Sequence, residues 1–163
     1  MLPDDLQQRL KLHPNGLILL SGENLESLRR GLWDALGSRC DTLYWIGPLP
    51  EKPALEGGAR CWLLECPLVG RYDGLLTVLR RDPHAIHVIG PADGPLVDAL
   101  VRAALAGCVC VAEVEAATPA DALARFSRLS REPGVLRHAV VASLAMAPSG
   151  IVSAPLVWTS PGS

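Results

Sequence analysis

Between Ser21 and Arg30 the chain reads SGENLESLRR, and the residue types there limit the chemistry that can follow. An apolar run, Leu17–Leu20, delivers the chain to Ser21-Gly22, and a helix-like pattern of Leu, Arg and Trp follows. Such a strand-to-helix turn binds phosphate under three conditions. Glycines let backbone N–H groups curl round the anion, a Lys supplies charge, and a Ser or Thr hydroxyl holds Mg²⁺. Here Gly22 is followed by Glu-Asn-Leu-Glu-Ser-Leu-Arg, with neither a glycine nor a Lys.

Other reactive groups give weaker signals. Arg29-Arg30 and Arg80-Arg81 could hold an anion or an acidic partner, although a solvated helix face is the expectation for such pairs. His84 and His87 lie about Ile86 on a strand-like run, too close for a helical metal pair, and read as structural. Asp82 precedes Pro83 and reads as the end of a helix. Five cysteines (Cys40, Cys61, Cys66, Cys108, Cys110) contain no C-x-x-C and no set of four convergent zinc ligands, so reduced core thiols of a cytosolic protein are expected. No Ser/His/Asp or Cys/His constellation can be assembled, and neither a cofactor nor a metal is expected.

The elements that must position these residues follow from apolar periodicity. Leu17–Ser21, Thr42–Ile46, Cys61–Glu65, Ile86–Ile89 and Cys108–Val114 are short apolar runs, as strands buried on both faces should be. Helical patterns occupy Leu25–Leu36, Tyr72–Arg81, Pro95–Ala106 and Pro119–Leu129, with Thr118 as an N-cap and Pro95 and Pro119 in first turns. Such alternation predicts an α/β fold: a mostly parallel, twisted sheet flanked by helices. The runs Ala139–Met146 and Ile151–Trp158 about Pro148-Ser149-Gly150 read as a C-terminal β-hairpin. Trp33, Trp45 and Trp62 are expected to pack, whereas Trp158 at the end of the last strand suits an interface.

The 163 residues read as a single domain, with 1–13 as an N-terminal lead-in, 51–59 a surface loop and 159–163 a tail. A hydrophobic content of 49% against 20% charged residues describes a globular chain rather than a disordered one. A net charge of -2 gives no electrostatic case for nucleic acid or an anionic membrane. Neither a membrane-spanning run nor a signal peptide is visible.

Four segments, taken in order, resemble the RecA-like motor domain of the type II secretion and type IV pilus ATPases. HPNGLILLSG is similar to the run into that family's Walker A strand. LLTVLRRDPHAIHVIG resembles its Walker B segment, and ALVRAALAGCVCVAEV its helix and strand leading to the histidine box. APSGIVSAPLVWTSP resembles the closing hairpin, so the likeness runs from about residue 13 to the end. The resemblance implies a RecA-like P-loop NTPase fold, and in the family it implies hexameric rings with nucleotide between subunits.

The chain departs from that family at the positions that do the work. Counting from Gly22, the inner glycines fall on Leu25 and Ser27, the Lys on Leu28 and the Ser/Thr on Arg29. The Asp-box acids fall on Ile46 and Gly47, the Walker B glutamate on Gly90 with Asp82 retained, and the histidine-box His on Glu115. The nearby Walker B arginine falls on Ala92, and the Gln-Arg of the closing strand is replaced near Ser143-Leu144. Non-glycine residues in left-handed geometry cost about 1–2 kcal/mol each, which disfavours the phosphate nest. Asn24 or Glu23 would instead cap the helix, with Glu23 and Glu26 complementing its dipole.

The expectation is a pseudo-ATPase acting by protein–protein contact, with an active ATPase of the same family or another secretion or pilus component as partner. Its expected location is the cytoplasm, peripheral to the inner membrane through such a partner. A nucleotide-sensing module, with Arg29 or Arg30 as compensating cation, and a RecA-like regulator of DNA repair or cell division are the alternatives.

Overall fold

The computed structural model describes residues 2–49 and 60–154. The surface loop at 51–59, the tail at 159–163 and Trp158 lie outside the described residues. The helices are α1 (Asp4–Leu12), α2 (Leu25–Gly37), α3 (Arg71–Leu79), α4 (Gly94–Leu105), α5 (Pro119–Leu129) and α6 (Pro133–Ala139). The strands are β1 (Gly16–Ser21), β2 (Thr42–Gly47), β3 (Arg60–Glu65), β4 (Ala85–Pro91), β5 (Val109–Glu113), β6 (Val140–Ala147) and β7 (Gly150–Ser153).

The strands form one seven-stranded sheet in the order β3-β2-β4-β5-β1-β6-β7. All pairings are parallel except β6 with β7, which is the expected hairpin. β1 is fully buried because helices cover both faces, which explains its unbroken apolar run. On one face α1 and α2 pack on Ile18, Leu20, Leu43, Trp45 and Val111; on the other, α3 to α6 pack on Leu17, Leu19, Ile46, Val88 and Ala112. Among the described residues no helix is long and apolar enough to cross a membrane.

Several local expectations hold. Thr118 caps α5 by accepting the Asp121 N–H at 3.1 Å, and Asp93 caps α4 by accepting that of Leu96 at 3.1 Å. Asp82 follows the end of α3 at φ 51, the one non-glycine residue with positive φ among those described.

Others need correction. The lead-in contains α1, whose Leu6 and Leu10, with Leu2 just before it, are buried against α2's side of the sheet. Ala139 belongs to the short α6 rather than to β6. Trp62 is 50% exposed and stacks on Tyr44 at 6.4 Å, because β3 is an edge strand. Asn24 is the N-cap residue of α2, but neither it nor Glu23 supplies a side-chain cap hydrogen bond. Cys61 and Cys66 are only half-buried, unlike Cys40, Cys108 and Cys110.

Candidate functional site: a saturated carboxylate at the strand ends

In a parallel sheet the carboxyl ends of the strands form the natural ligand edge. There β1, β5 and β4 end side by side, with Leu20 opposite Glu113 and Glu113 opposite Pro91. A cleft of about 370 Å³ opens above them, lined by Gly22, Glu23, Leu25, Pro91, Glu113 and the Val114–Ala117 segment. Among the described residues, its charged lining groups are the carboxylates of Glu23, Glu113 and Glu115.

Glu113 organises the cleft floor. Arg29 grips it bidentately, Nε donating to Oε1 at 2.6 Å and Nη2 to Oε2 at 2.7 Å. His87 Nε2 lies 3.0 Å from Oε1, and the Gly90 backbone N–H donates to Oε2 at 2.7 Å. Trp33 settles the histidine's tautomer. Its indole N–H can only donate, and it points at His87 Nδ1 at 2.6 Å. Nδ1 must therefore be the bare nitrogen, so Nε2 carries the proton and donates to Glu113. The carboxylate thus receives four hydrogen bonds, one for each lone-pair site.

The charge states follow. Burial works to raise the Glu113 carboxyl, but hydrogen bonds from His87 and Arg29 and the arginine's charge outweigh it and hold it at about 2. Burial lowers the His87 imidazole below its ordinary value, which keeps it neutral in spite of the adjacent carboxylate. Trp45 packs edge-on against Trp33 at 5.3 Å, closing the apolar side of the network.

Local backbone geometry makes the arrangement possible. β4 and β5 change register between Val88 and Pro91, and this bulge turns the Gly90 N–H toward Glu113. Gly90 has φ +87, and a Cβ there would lie 2.8 Å from Leu68 Cδ2. Arg71, which is buried, braces the bulge by donating to the carbonyls of Ile89, Gly90 and Pro91 at 3.0, 2.9 and 2.8 Å.

The sequence-derived positions are now placed. Gly22 has φ +92, and its N–H is spent on the Ala116 carbonyl at 3.0 Å rather than turned to the cleft. Leu25 is half-buried and Ser27 exposed on the first turn of α2, while Leu28 is fully buried in the core. Arg29 is not on a solvated face; its side chain is 19% exposed and paired with Glu113, whereas Arg30, Arg80 and Arg81 are exposed. Glu115 is exposed, 4.0 Å from Arg125, and Asp82 is exposed at the far end of β4.

Neither Glu113 nor His87 stood out in the sequence as a pair, and Arg71 gave no signal at all. An isolated Glu ending an apolar strand is the one clue that could have pointed to Glu113, since a charge there must find partners. The residues present do not fit Mg²⁺-nucleotide: the cleft offers carboxylates and no Lys, and its deepest carboxylate has no free lone pair. Among the described residues no group of three or more His, Cys, Asp or Glu is arranged to hold a metal.

This mostly parallel sheet with flanking helices matches the fold of solved ATPases. The fold is that of the type IV secretion and pilus ATPases. The VirB11 ATPase of the Brucella suis type IV secretion system, solved with sulphate, superimposes with TM-score 0.69 at 17% identity, over 92% of this chain and 49% of that one. The pilus retraction motor PilT with bound ADP gives TM-score 0.68 at 20% identity, over 94% and 49% of the two chains. The Legionella pneumophila ATPase DotB gives TM-score 0.63 at 17% identity, over 93% and 47%. The chain therefore spans about half the length of these structures. No protein-family model matches the sequence, and no protein of curated function matches it.

Proposed function

We propose that the chain is a non-hydrolysing relative of the secretion and pilus ATPases that acts through protein contacts, with a component of such a machine as partner. One observation carries this reading. The arginine at the position of the family's Mg²⁺-binding hydroxyl, Arg29, is locked onto Glu113, so an internal ion pair stands where an ATPase needs room for metal and phosphate. A general base must have a free lone pair to take a proton from water, and Glu113 has none. Glycine stands at the position the resemblance gives to the Walker B glutamate, and its φ of +87 favours glycine there. The nucleotide-sensing alternative is weakened because Arg29 is spent, leaving only the exposed Arg30. Nothing specific favours the DNA-repair or division regulator.

Phosphate release measured on the protein and on Leu25→Gly/Ser27→Gly/Leu28→Lys/Arg29→Thr tests the reading. Neither should exceed background, because the variant still lacks a carboxylate at Gly90 and a histidine at Glu115. Turnover by the variant would identify a dormant enzyme instead.

A further inference from the structure

The sheet buries one titratable group whose hydrogen bonds require it to be neutral. His87 is fully buried on β4, between α2 and β5. From α2, the Trp33 indole N–H donates to Nδ1 at 2.6 Å, and on the other side Nε2 lies 3.0 Å from Glu113 Oε1. A neutral imidazole serves both contacts, since it has one acceptor and one donor; an imidazolium has two donors and no acceptor. A proton on Nδ1 would therefore set two N–H groups face to face at a distance that only a hydrogen bond permits.

The conflict falls on one side of the ring. The charged groups that face His87 are Glu113 from β5 and Arg29 from α2. Nε2 goes on donating to Glu113 after protonation, and the imidazolium charge strengthens that bond, so only the contact with Trp33 breaks. Close by, β2 presents Trp45, packed edge-on against Trp33 at 5.3 Å, and the Trp45 Nε1 itself has no acceptor among the described residues. A displaced indole N–H would thus be orphaned in the core, whereas water would satisfy it. Trp33 has an outlet to water. It is 7% exposed, while Trp45 and His87 are sealed.

We propose that the Trp33–His87 contact is a proton-operated latch: uptake of one proton on His87 Nδ1 turns the Trp33 indole out toward solvent and leaves the sheet folded. Burial holds the imidazole below its ordinary value of 6.5 while the latch is shut, and opening to water returns it toward that value. The open form therefore gains as pH falls below 6.5. His13, His84 and His138 are already exposed and gain no hydration on opening. No nucleotide contact enters the device, so its test does not share the outcome of the phosphate-release assay.

Hydrogen exchange of the indole N–H groups, followed by NMR on the full chain between pH 7.5 and 5, tests the latch, with Trp33→Phe assigning the Trp33 signal. After correction for intrinsic rates, Trp33 opening should increase about ten-fold for each pH unit below 6.5, the slope of one proton. Dilute urea should leave it unchanged, because a local opening exposes little surface. The Trp45 indole should exchange faster with urea, because its release awaits global unfolding. His87→Gln, which keeps an acceptor but does not titrate, should abolish the pH slope. Imidazole nitrogen shifts of the unsubstituted protein test the latch even if that variant does not fold: at pH 7.5 the proton should be on Nε2. A proton on Nδ1 at that pH, Trp33 exchange that is flat with pH or follows urea as Trp45 does, or a slope that survives His87→Gln overturns the proposal.

Discussion

Replacing Arg29 with Ala removes two of the four donors on Glu113 and leaves that carboxylate buried with one charge too many. Breaking a buried pair from one side costs about 3–5 kcal/mol. The lower end is expected here, because the Arg29 side chain is 19% exposed and water can enter in its place. Urea denaturation at neutral pH measures it. The same network sets the pH dependence. Glu113 titrates at about 2 in the fold against an ordinary 4.5, so its contribution is complete above pH 4.5 and is lost as pH falls toward 2. His87 acts in the same direction at higher pH. Its folded value lies below 6.5, so below that pH the unfolded chain takes up a proton that the fold refuses. Stability should fall continuously on acidification from about pH 6.5, and the part below pH 4.5 should be missing in Glu113→Gln. A pH-independent midpoint from 7 to 3 would contradict the network.

At the scale of elements, the β4 bulge decides whether a side chain can be placed at Gly90. On the proposed reading, Gly90→Glu would place a carboxylate where the family resemblance puts the Walker B glutamate, but at φ +87 and with a Cβ 2.8 Å from Leu68 Cδ2. Left-handed strain is about 1–2 kcal/mol, while the half-exposed Leu68 side chain can swing aside. A fall in melting temperature without ATP turnover is the expected outcome. Val88, 1% exposed in the core of the same strand, tests the sheet itself: Val88→Asp should leave no cooperative unfolding transition, since the unpaired charge costs most of an ordinary domain's stability. β1, β2, β4, β5 and four longer helices were legible because two-sided burial and 3.6-residue periodicity write themselves locally; β3, half-exposed at the sheet edge, was legible from its apolar run alone. α1 was not, since DDLQQRLKL shows only Leu6 and Leu10 to the core within a polar nine-residue stretch. α6 was hidden by Pro133-Gly134, which reads as a turn. The Arg29–Glu113–His87 cluster was not legible. Arg29 and Glu113 are 84 positions apart, and His87 and Glu113 are 26 apart. Their meeting depends on strand order and on the register shift beside Gly90, which no local pattern encodes.

For the molecule as a whole, two layers of helices clamp a sheet whose strand-end cleft is floored by a hydrogen-bonded Glu113. Solved proteins of this fold include an ADP complex and a sulphate complex. In this chain the Gly22 N–H is bonded to Ala116, Leu28 is in the core and Arg29 is on Glu113, so an incoming triphosphate would meet carboxylates and spent donors. The most direct measurement is the unfolding free energy of the protein with and without millimolar Mg²⁺-ATP, checked by titration calorimetry. Ligand present at 100 times its Kd stabilises a fold by about 2.7 kcal/mol, so even weak binding is visible. The account predicts no change in unfolding free energy and no heat of binding; a saturable, ATP-dependent stabilisation would contradict it.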